Sequence, residues 1–331
     1  MKAQVIKKFG DPSVFEITDV PKPEAKPGHV VIKVKATSVN PIDTKVRGGV
    51  VPAVAPEFPA VLHGDVAGVV AEVGEGVTDF KVGDEVYGCA GGFKGLGGAL
   101  ADYMLADARL LALKPKNLSM AQAAALPLVT ITAWESLYNR GNVQNGQSVL
   151  VHAATGGVGH VAIQLAKLAG ANVFTTASSE EKLSIGKRLG ADVAINYKEQ
   201  SVDEYVKEHT EGKGFDIVFD TVGGENLDKS FQAATTYGTV LAIAARSTHD
   251  LSPLHAKALS LHITFMLLKI INEEKRQEHG SILREVTKLV EEGKLKPLVD
   301  ERVFTFDQVS EAHALLETNK AIGKVVLTNE W

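Results

Sequence analysis

The sequence holds a single cysteine, Cys89, among its 331 residues. One thiol cannot close an intrachain disulfide, and it cannot furnish the cysteine cluster of a structural zinc lobe. It fits a reducing compartment, and the expected location is the cytoplasm. The first twenty residues, MKAQVIKKFGDPSVFEITDV, contain no apolar core of a secretory signal. The longest nearly apolar run, Ala258 to Ile271, is too short to span a bilayer and carries His262, so no membrane association is expected. Positive charge is scarce as well: 35 Lys and Arg stand against 40 Asp and Glu, a formal net charge of −5. Broad affinity for nucleic acid needs clustered basic residues, so nucleic acid is not an expected partner. No nucleophile elbow, H-E-x-x-H motif or paired-carboxylate pattern points to hydrolysis, and no internal repeat is visible.

What is present divides the chain. Hydrophobic residues at 45% and charged residues at 23% are ordinary for a globular protein, and the length suits two domains. Eight of the twelve prolines fall between positions 12 and 59, and none lies between Pro127 and Pro253. The proline-dense start, with short alternating runs such as VVIKVKATSV and VAGVVAEVG, predicts a β-rich domain over 1–123. The proline-free middle alternates apolar runs with helix-like segments. The runs are 148–154, 172–178, 192–197, 215–222 and 238–245, with a sixth expected at 263–268. Strands apolar on both faces, each joined through a helix, predict a doubly wound parallel sheet over 124–266. Beyond it the pattern changes to helices at 277–292 and 307–319, a strand at 298–304 between them, and a last strand, GKVVLT. Low complexity is confined to the glycine-rich stretch 88–98.

The sharpest motif is AATGGVGHVAIQLAK, Ala153 to Lys167, which leaves the 148–154 run and opens a helix with Val161, Leu165 and Leu168 on one face. Thr155, Gly156, Gly157 and Val158 form its turn. Glycines there allow backbone amides to approach a pyrophosphate, and the helix turns its positive end toward the anion. An NAD site carries Asp or Glu at the end of the second strand, to bind the ribose 2′-hydroxyl. Here that strand ends Thr176-Ala177-Ser178-Ser179, with Lys182 one turn later. Hydroxyls and a lysine suit a 2′-phosphate, so the expected cofactor is NADPH. In the competing reading Ser178 and Glu181 form a helix capping box and Lys182 is only a surface residue.

At this point the sequence resembles the medium-chain dehydrogenase/reductase superfamily, specifically its zinc-free quinone oxidoreductase branch. The resemblance runs through VNPIDTKVRGG (39–49), VLHGDVAGVVAEVGEGVTDFKVGDEVYG (61–88), AALPLVTITAWESL (124–137), AATGGVG (153–159), LGADVAINY (189–197) and FDTVGG (219–224). It implies a GroES-like domain, a Rossmann nucleotide-binding domain inserted into it, and a segment 267–331 that returns to the first domain. The zinc alcohol dehydrogenases of the superfamily hold catalytic zinc with a Cys, a Gly-His-Glu block and a second Cys. Those positions fall here on Asn40, on His63-Gly64-Asp65 with the histidine displaced by one place, and near Leu126 or Pro127. Zinc needs three or four well-placed ligands, and no third partner for His63 and Asp65 is evident, so no metal is expected.

The resemblance further implies that Asn40, Asp43 and Thr130 border the nicotinamide. Asp43 as a cap of its own turn, and Thr130 bonded back to its own helix, are the structural alternatives. Tyr197 resembles the tyrosine beside the adenosine phosphate. Val222 and Ile243 end the fourth and fifth strands, where a doubly wound sheet binds its ligand. Phe265 lies in the sixth run, which in the family adjoins the nicotinamide and is a plausible edge for pairing into a homodimer. Without a Lewis acid, the reaction implied is hydride transfer from NADPH to a small-molecule electron acceptor, a quinone or an α,β-unsaturated carbonyl. The alternatives are an enoyl-thioester reductase and a dinucleotide-binding sensor or stabilising protein with little turnover.

Overall fold

The computed structural model describes residues 1–331. In chain order, β1 (Lys2–Val5) and β2 (Glu16–Asp19) precede β3 (His29–Val39), α1 (Pro41–Arg47), β4 (Asp65–Val73), β5 (Glu85–Cys89), β6 (Tyr103–Asp107) and β7 (Leu111–Leu113). Two short helices follow, α2 (Met120–Ala124) and α3 (Pro127–Trp134). Next come β8 (Ser148–Val151), α4 (Gly157–Leu168), β9 (Asn172–Ala177), α5 (Glu180–Arg188), β10 (Val193–Asn196) and α6 (Val202–Thr210). Then β11 (Phe215–Asp220), α7 (Glu225–Ala233), β12 (Ala234–Ala242), α8 (Ser252–Lys257) and β13 (Ser260–Ile263) complete the middle of the chain. The remainder is α9 (Leu267–Ile271), α10 (Arg276–Glu291), β14 (Val299–Thr305), α11 (Val309–Glu317) and β15 (Lys324–Thr328). No helix is long and apolar enough to cross a membrane.

The chain forms two compact units, one of 1–131 with 267–331 and one of 132–266. The division falls inside α3, eight residues beyond the expected start of the second domain at 124. Packing explains the difference, because α2 lies against β3, β4 and β15 and so belongs with the first unit.

In the first unit β1 and β2 pair with each other, and a larger sheet runs β14-β15-β3-β4-β5-β7, with β6 also paired to β3. All its ladders are antiparallel except β14 with β15. The register sets Val325 of β15 opposite Val39 of β3, so Lys324 lies beside Asn40 although 284 residues separate them. Central strands of this sheet are apolar on both faces: Val30, Val31 and Ile32 are all buried. The glycine-rich stretch after β5 is also packed, since Phe93 is buried and a Cβ on Gly91 would meet the Gly97 carbonyl oxygen at 2.0 Å.

The second unit is a six-stranded sheet in the order β10-β9-β8-β11-β12-β13, parallel throughout. Two consecutive right-to-left additions followed by a jump across β8 make the doubly wound order, with its topological switch between β8 and β11. One layer of core joins Leu150, Phe215, Val218 and Val240 of the sheet to Leu227 and Phe231 of α7. Truncating a buried Phe such as Phe231 to Ala costs roughly 3–5 kcal/mol in cores of this kind.

Two sequence expectations need correction here. The sixth strand is Ser260–Ile263, not 263–268; the chain turns at Thr264 and Leu267–Ile271 is helical. A short apolar run fits a buried strand or a buried helix equally, so its hydrophobicity could not set the boundary. On α4, Val161 and Leu165 are buried as expected, but Leu168 at the last turn is 41% exposed.

Candidate functional site

The turn between β8 and α4 is built for close backbone approach. Strand β8 ends at Val151, and the chain reverses through Ala153, whose φ of 59° puts a non-glycine residue in the left-handed region. Gly156 occupies the N-cap position of the twelve-residue helix and provides no side-chain cap. The amides of Gly157, Val158 and Gly159 therefore have no intrahelical acceptor and no capping oxygen, and they carry the positive end of the helix dipole. Gly159 is required for the packing of the turn itself: a Cβ there would meet the Ala153 carbonyl oxygen at 2.0 Å. Thr155 is buried, while Gly156, Gly157 and Val158 are half-buried. Four properties coincide: unpaired amides, glycines at the turn, a helix N-terminus, and the switch point of a doubly wound sheet. Together they fit the pyrophosphate of a dinucleotide.

The switch point is cross-tied. Thr221 Oγ1 donates to the His152 carbonyl at 2.7 Å, and His152 Nδ1 lies 3.0 Å from Thr176 Oγ1. Burial lowers the His152 pKa to about 4, against the opposing pull of Asp220, so the ring is neutral near pH 7. Asp220 caps the following turn, its Oδ1 accepting from the amides of Val222 and Gly223 and its Oδ2 from Asn226 and Ser230. A carboxylate with four donors is committed to structure.

At the end of β9 the cap of α5 is Ser179, whose Oγ accepts from the Lys182 amide at 3.4 Å; the Ser178–Glu181 capping box of the competing reading is not formed. Ser178 and Lys182 are half-buried, and their side chains make no hydrogen bond. Tyr197 lies just past β10 and is 51% exposed. Val222 and Ile243 lie beyond the last residues of β11 and β12 rather than within them, and Val222 and Phe265 are exposed.

In the first unit, Asn40, Asp43 and Thr130 are all buried and all bonded within the unit. Asn40 is the N-cap of α1, and its own amide donates to Asp43 Oδ2 at 2.7 Å, the capping arrangement. Burial raises the Asp43 pKa to about 7, partly offset by the hydrogen bond from Asn40. Thr130 Oγ1 donates to the Leu126 carbonyl one turn back along its helix. Asn40 Nδ2 donates to Asp65 Oδ2 at 2.8 Å, and Asn40 Oδ1 accepts from the ammonium of Lys324.

Lys324 was not among the residues that the sequence singled out. Its side chain is 2% exposed, and its Nζ also donates to the Val39 carbonyl at 3.2 Å and lies 3.5 Å from Asp65 Oδ2. Asp65 completes the cluster: Ser38 Oγ donates to Oδ2 at 2.9 Å and the Leu128 amide to Oδ1 at 2.8 Å. Burial pushes the Lys324 pKa down, while the carboxylates of Asp65 and Asp43 oppose that shift. Burial likewise holds the nearby Cys89 thiol well above its ordinary pKa. The one available signal was a lysine heading the otherwise apolar strand KVVLT.

This cluster covers the positions to which catalytic zinc would be assigned, and the residues do not fit the metal. Asp65 is saturated by Ser38, Asn40, Leu128 and Lys324, and an ammonium already provides the positive charge. His63 turns away, with Nε2 2.8 Å from His313 Nε2 and Nδ1 3.3 Å from Thr37 Oγ1. No group of three or more His, Cys, Asp or Glu side chains is gathered anywhere in the chain.

Comparison with known proteins gives the relationships of the chain. Residues 26–116 match the family profile described as "Alcohol dehydrogenase GroES-like domain", and 189–327 match "Zinc-binding dehydrogenase". The chain is 38% identical to the "NADPH-dependent alkenal/one oxidoreductase, chloroplastic" of Arabidopsis thaliana over 99% of this chain and 79% of that protein. It is 32% identical to the "Quinone oxidoreductase" of Homo sapiens over 99% of this chain and 97% of that one. Among solved structures, an alcohol dehydrogenase superfamily protein from Novosphingobium aromaticivorans superposes with a TM-score of 0.95 at 41% identity, covering 100% of both chains. The Escherichia coli quinone oxidoreductase complexed with NADPH superposes with a TM-score of 0.89 at 28% identity, over 99% of this chain and 100% of that one.

Proposed function

The chain belongs to the medium-chain dehydrogenase/reductase superfamily, in its quinone-oxidoreductase-like branch, and from that membership we propose that this oxidoreductase reduces quinones or α,β-unsaturated carbonyls with NADPH and without zinc. The observation that carries the zinc-free reading is the Asp65 cluster, where both carboxylate oxygens accept from protein donors and a lysine supplies the charge. Alcohol oxidation in this superfamily draws on a Lewis acid to lower the alcohol pKa. An activated double bond already accommodates incoming negative charge and needs only a positioned donor.

Bound at the turn after β8, the dinucleotide would supply the hydride. The protein's share is binding and orientation. Amides of Gly157, Val158 and Gly159 hold the pyrophosphate, Ser178, Ser179 and Lys182 take the 2′-phosphate, and Tyr197 lies by the adenosine. Val222, Ile243 and Phe265 shape the nicotinamide end. Asn40 and Thr130 orient the acceptor, and Asp43 holds Asn40 through its backbone amide. A homodimer is part of this reading, formed through the open edge of β13, where Ile263 and Phe265 are exposed. The relatives, an alkenal/one oxidoreductase and a quinone oxidoreductase, agree with acceptors of this class.

An aerobic screen of NADPH oxidation over quinones, enones and enoyl-CoAs, with elemental analysis of the same sample, tests the proposal. Turnover on quinones or enones with far less than one zinc per chain is the expected result. Activity confined to enoyl-CoAs, absence of turnover on any of the three, or stoichiometric zinc lost together with activity would overturn it.

A further inference from the structure

Between β12 and α8 the chain crosses a loop, 243–251, which the dinucleotide reading uses only at Ile243. Both ends of the loop are pinned. At its start Ala245 packs on the core of the second unit, and a Cβ on Gly223 would meet the Ala244 carbonyl oxygen at 2.1 Å. At its end Asp250 Oδ1 accepts from the Ser252 amide at 2.9 Å and from the Ser252 hydroxyl at 2.6 Å. Between these anchors three side chains form a line that starts on α7. His249 Nδ1 lies 2.9 Å from Asp228 Oδ1, and His249 Nε2 lies 2.5 Å from Ser247 Oγ. The His249 ring stands T-shaped against the buried ring of Phe231, 6.1 Å away, and its side chain is 9% exposed. Ser247 is exposed, and its Oγ has no other hydrogen-bond partner.

The two ends of this line fix its hydrogens. An ionised carboxylate only accepts, so the neutral His249 ring carries its hydrogen on Nδ1 and leaves Nε2 bare. Ser247 then donates its hydroxyl hydrogen to Nε2. A serine hydroxyl is a weak nucleophile until a base takes its proton, and a base oriented by a third group is the arrangement that activates it.

We infer that Ser247 is a second reactive centre, a serine nucleophile with His249 as its general base and Asp228 holding the ring, which takes the acyl group of activated esters. This activity is independent of hydride transfer. Ser247 Oγ bonds to the ester carbonyl carbon while His249 Nε2 takes the hydroxyl proton. The bond from that carbon to the phenolic oxygen breaks, and the proton passes from Nε2 to the leaving phenoxide. Water then attacks the acyl-serine, giving a proton to His249, which returns it to Ser247. One phenol and one carboxylic acid result, and no oxidant or reductant is consumed. At an exposed serine, solvent supplies the hydrogen bonds to the oxyanion of the tetrahedral intermediate. That restricts the substrates to esters with a readily departing group, aryl esters above all. Asp228 touches no reactant; it is a positioning residue that also stabilises the imidazolium formed in each step.

Two reagents and one spectrum test this on the full chain. The wild-type protein should hydrolyse para-nitrophenyl acetate, and a fluorophosphonate should form a covalent adduct on Ser247, located by peptide mass spectrometry. Ser247→Ala and His249→Gln should each lower the ester rate about a hundredfold, the lower end of what a positioned general base contributes, with circular dichroism unchanged. The wild-type protein also supplies an arm that requires no folded variant for its reading. In nitrogen-15 spectra of histidine-labelled protein at pH 8, the ring whose signal is missing from His249→Gln should be in the Nδ1–H form. In Asp228→Ala nothing selects that form, so the Nε2–H form should appear while the ester rate falls. A fluorophosphonate that leaves Ser247 unmodified, a Ser247→Ala protein with the wild-type ester rate, or a wild-type His249 in the Nε2–H form would each overturn the inference. An Asp228→Ala spectrum identical to wild type would overturn the positioning role of Asp228.

Discussion

His63 and His313, 250 residues apart, face each other through their Nε2 atoms at 2.8 Å with both rings buried. The protonation of the pair is fixed by its ends. Arg47 Nη1 can only donate, so His313 Nδ1, 3.3 Å away, accepts. The neutral His313 ring then carries its hydrogen on Nε2 and donates it to His63 Nε2. His63 in turn carries hydrogen on Nδ1 and donates to Thr37 Oγ1, which donates to the Asp65 carbonyl at 2.6 Å. Every bond points the same way, from Arg47 to a backbone oxygen. An added proton has no acceptor on either ring.

That chain makes stability depend on pH in a definite direction. Burial lowers the His63 pKa to about 3 from 6.5, and burial with the nearby His63 and Arg47 lowers that of His313. A histidine whose folded pKa is depressed is neutral in the folded state while the unfolded chain takes up a proton below 6.5. The stabilisation is complete above pH 6.5 and is lost as pH falls from there toward 3, at about 1.4 kcal/mol per pH unit for each ring. His313→Gln preserves the direction of bonding, because its oxygen accepts from Arg47 and its amide donates to His63. It should fold at pH 8 with stability within about 1 kcal/mol of wild type and lose one ring's share, about 1.4 kcal/mol per pH unit, from the acid slope in urea titrations. His313→Phe breaks the chain and should lose about 1–3 kcal/mol at pH 8, the cost of stranding buried donors and acceptors. Equal acid slopes in wild type and His313→Gln would contradict the assignment.

Glycines of the turn after β8 should separate folding from binding. A Cβ at Gly159 collides with the Ala153 backbone, which cannot move away as a flexible side chain can. Gly159→Ala should therefore lower the melting temperature and weaken NADPH binding together. Gly157→Val places a branched side chain on the first helical residue, where the pyrophosphate approaches. It should leave the fold intact by circular dichroism and lose NADPH binding in titration calorimetry. A folded Gly157→Val protein with normal affinity would displace the cofactor from this turn.

Cofactor choice is carried by one side chain in the proposed site. Lys182 donates its backbone amide to Ser179, and its side chain makes no hydrogen bond within the protein. A charge-assisted contact with a 2′-phosphate is worth roughly 1.5–3 kcal/mol, about tenfold to a hundredfold in affinity. Lys182→Ala should weaken NADPH by that factor and leave NADH unchanged. Equal losses for both cofactors would reduce Lys182 to a surface residue.

How far these features were legible depends on sequence distance. The doubly wound sheet and the glycine turn show in the sequence because strand, turn and helix are adjacent there. The NPID cap is local too, with Asn40 and Asp43 three residues apart. Lys324 is bonded to a partner 284 residues away, and His313 to one 250 residues away. No local period or spacing encodes such pairs; the antiparallel register of β15 on β3 and the packing of α11 beside α1 create them. The edge strand was misplaced for another reason. From Ala258 to Ile271 the chain is apolar almost throughout, and the break at Thr264 carries no glycine or proline to mark it.

Asp43 should oppose the histidines in the same acid range. Its folded pKa of about 7 lies above the ordinary 3.8, chiefly through burial. A carboxyl with a raised folded pKa is protonated in the folded state when the unfolded chain has already ionised. Its contribution is complete below pH 3.8 and is lost as pH rises toward 7, again at about 1.4 kcal/mol per unit. Between pH 4 and 6.5 the two rings add about 2.8 kcal/mol per unit as pH rises, and Asp43 subtracts about 1.4. Asp43→Asn removes the opposing slope, so from these groups its stability should climb about twice as steeply with pH as that of wild type across that interval. The amide oxygen of the new side chain can still accept from the Asn40 backbone amide, so the cap and the fold should survive. Urea midpoints at half-unit pH steps, with the two proteins side by side, give the comparison. Parallel curves would mean that Asp43 is ionised throughout and that the buried cap carries a full negative charge beside Asp65.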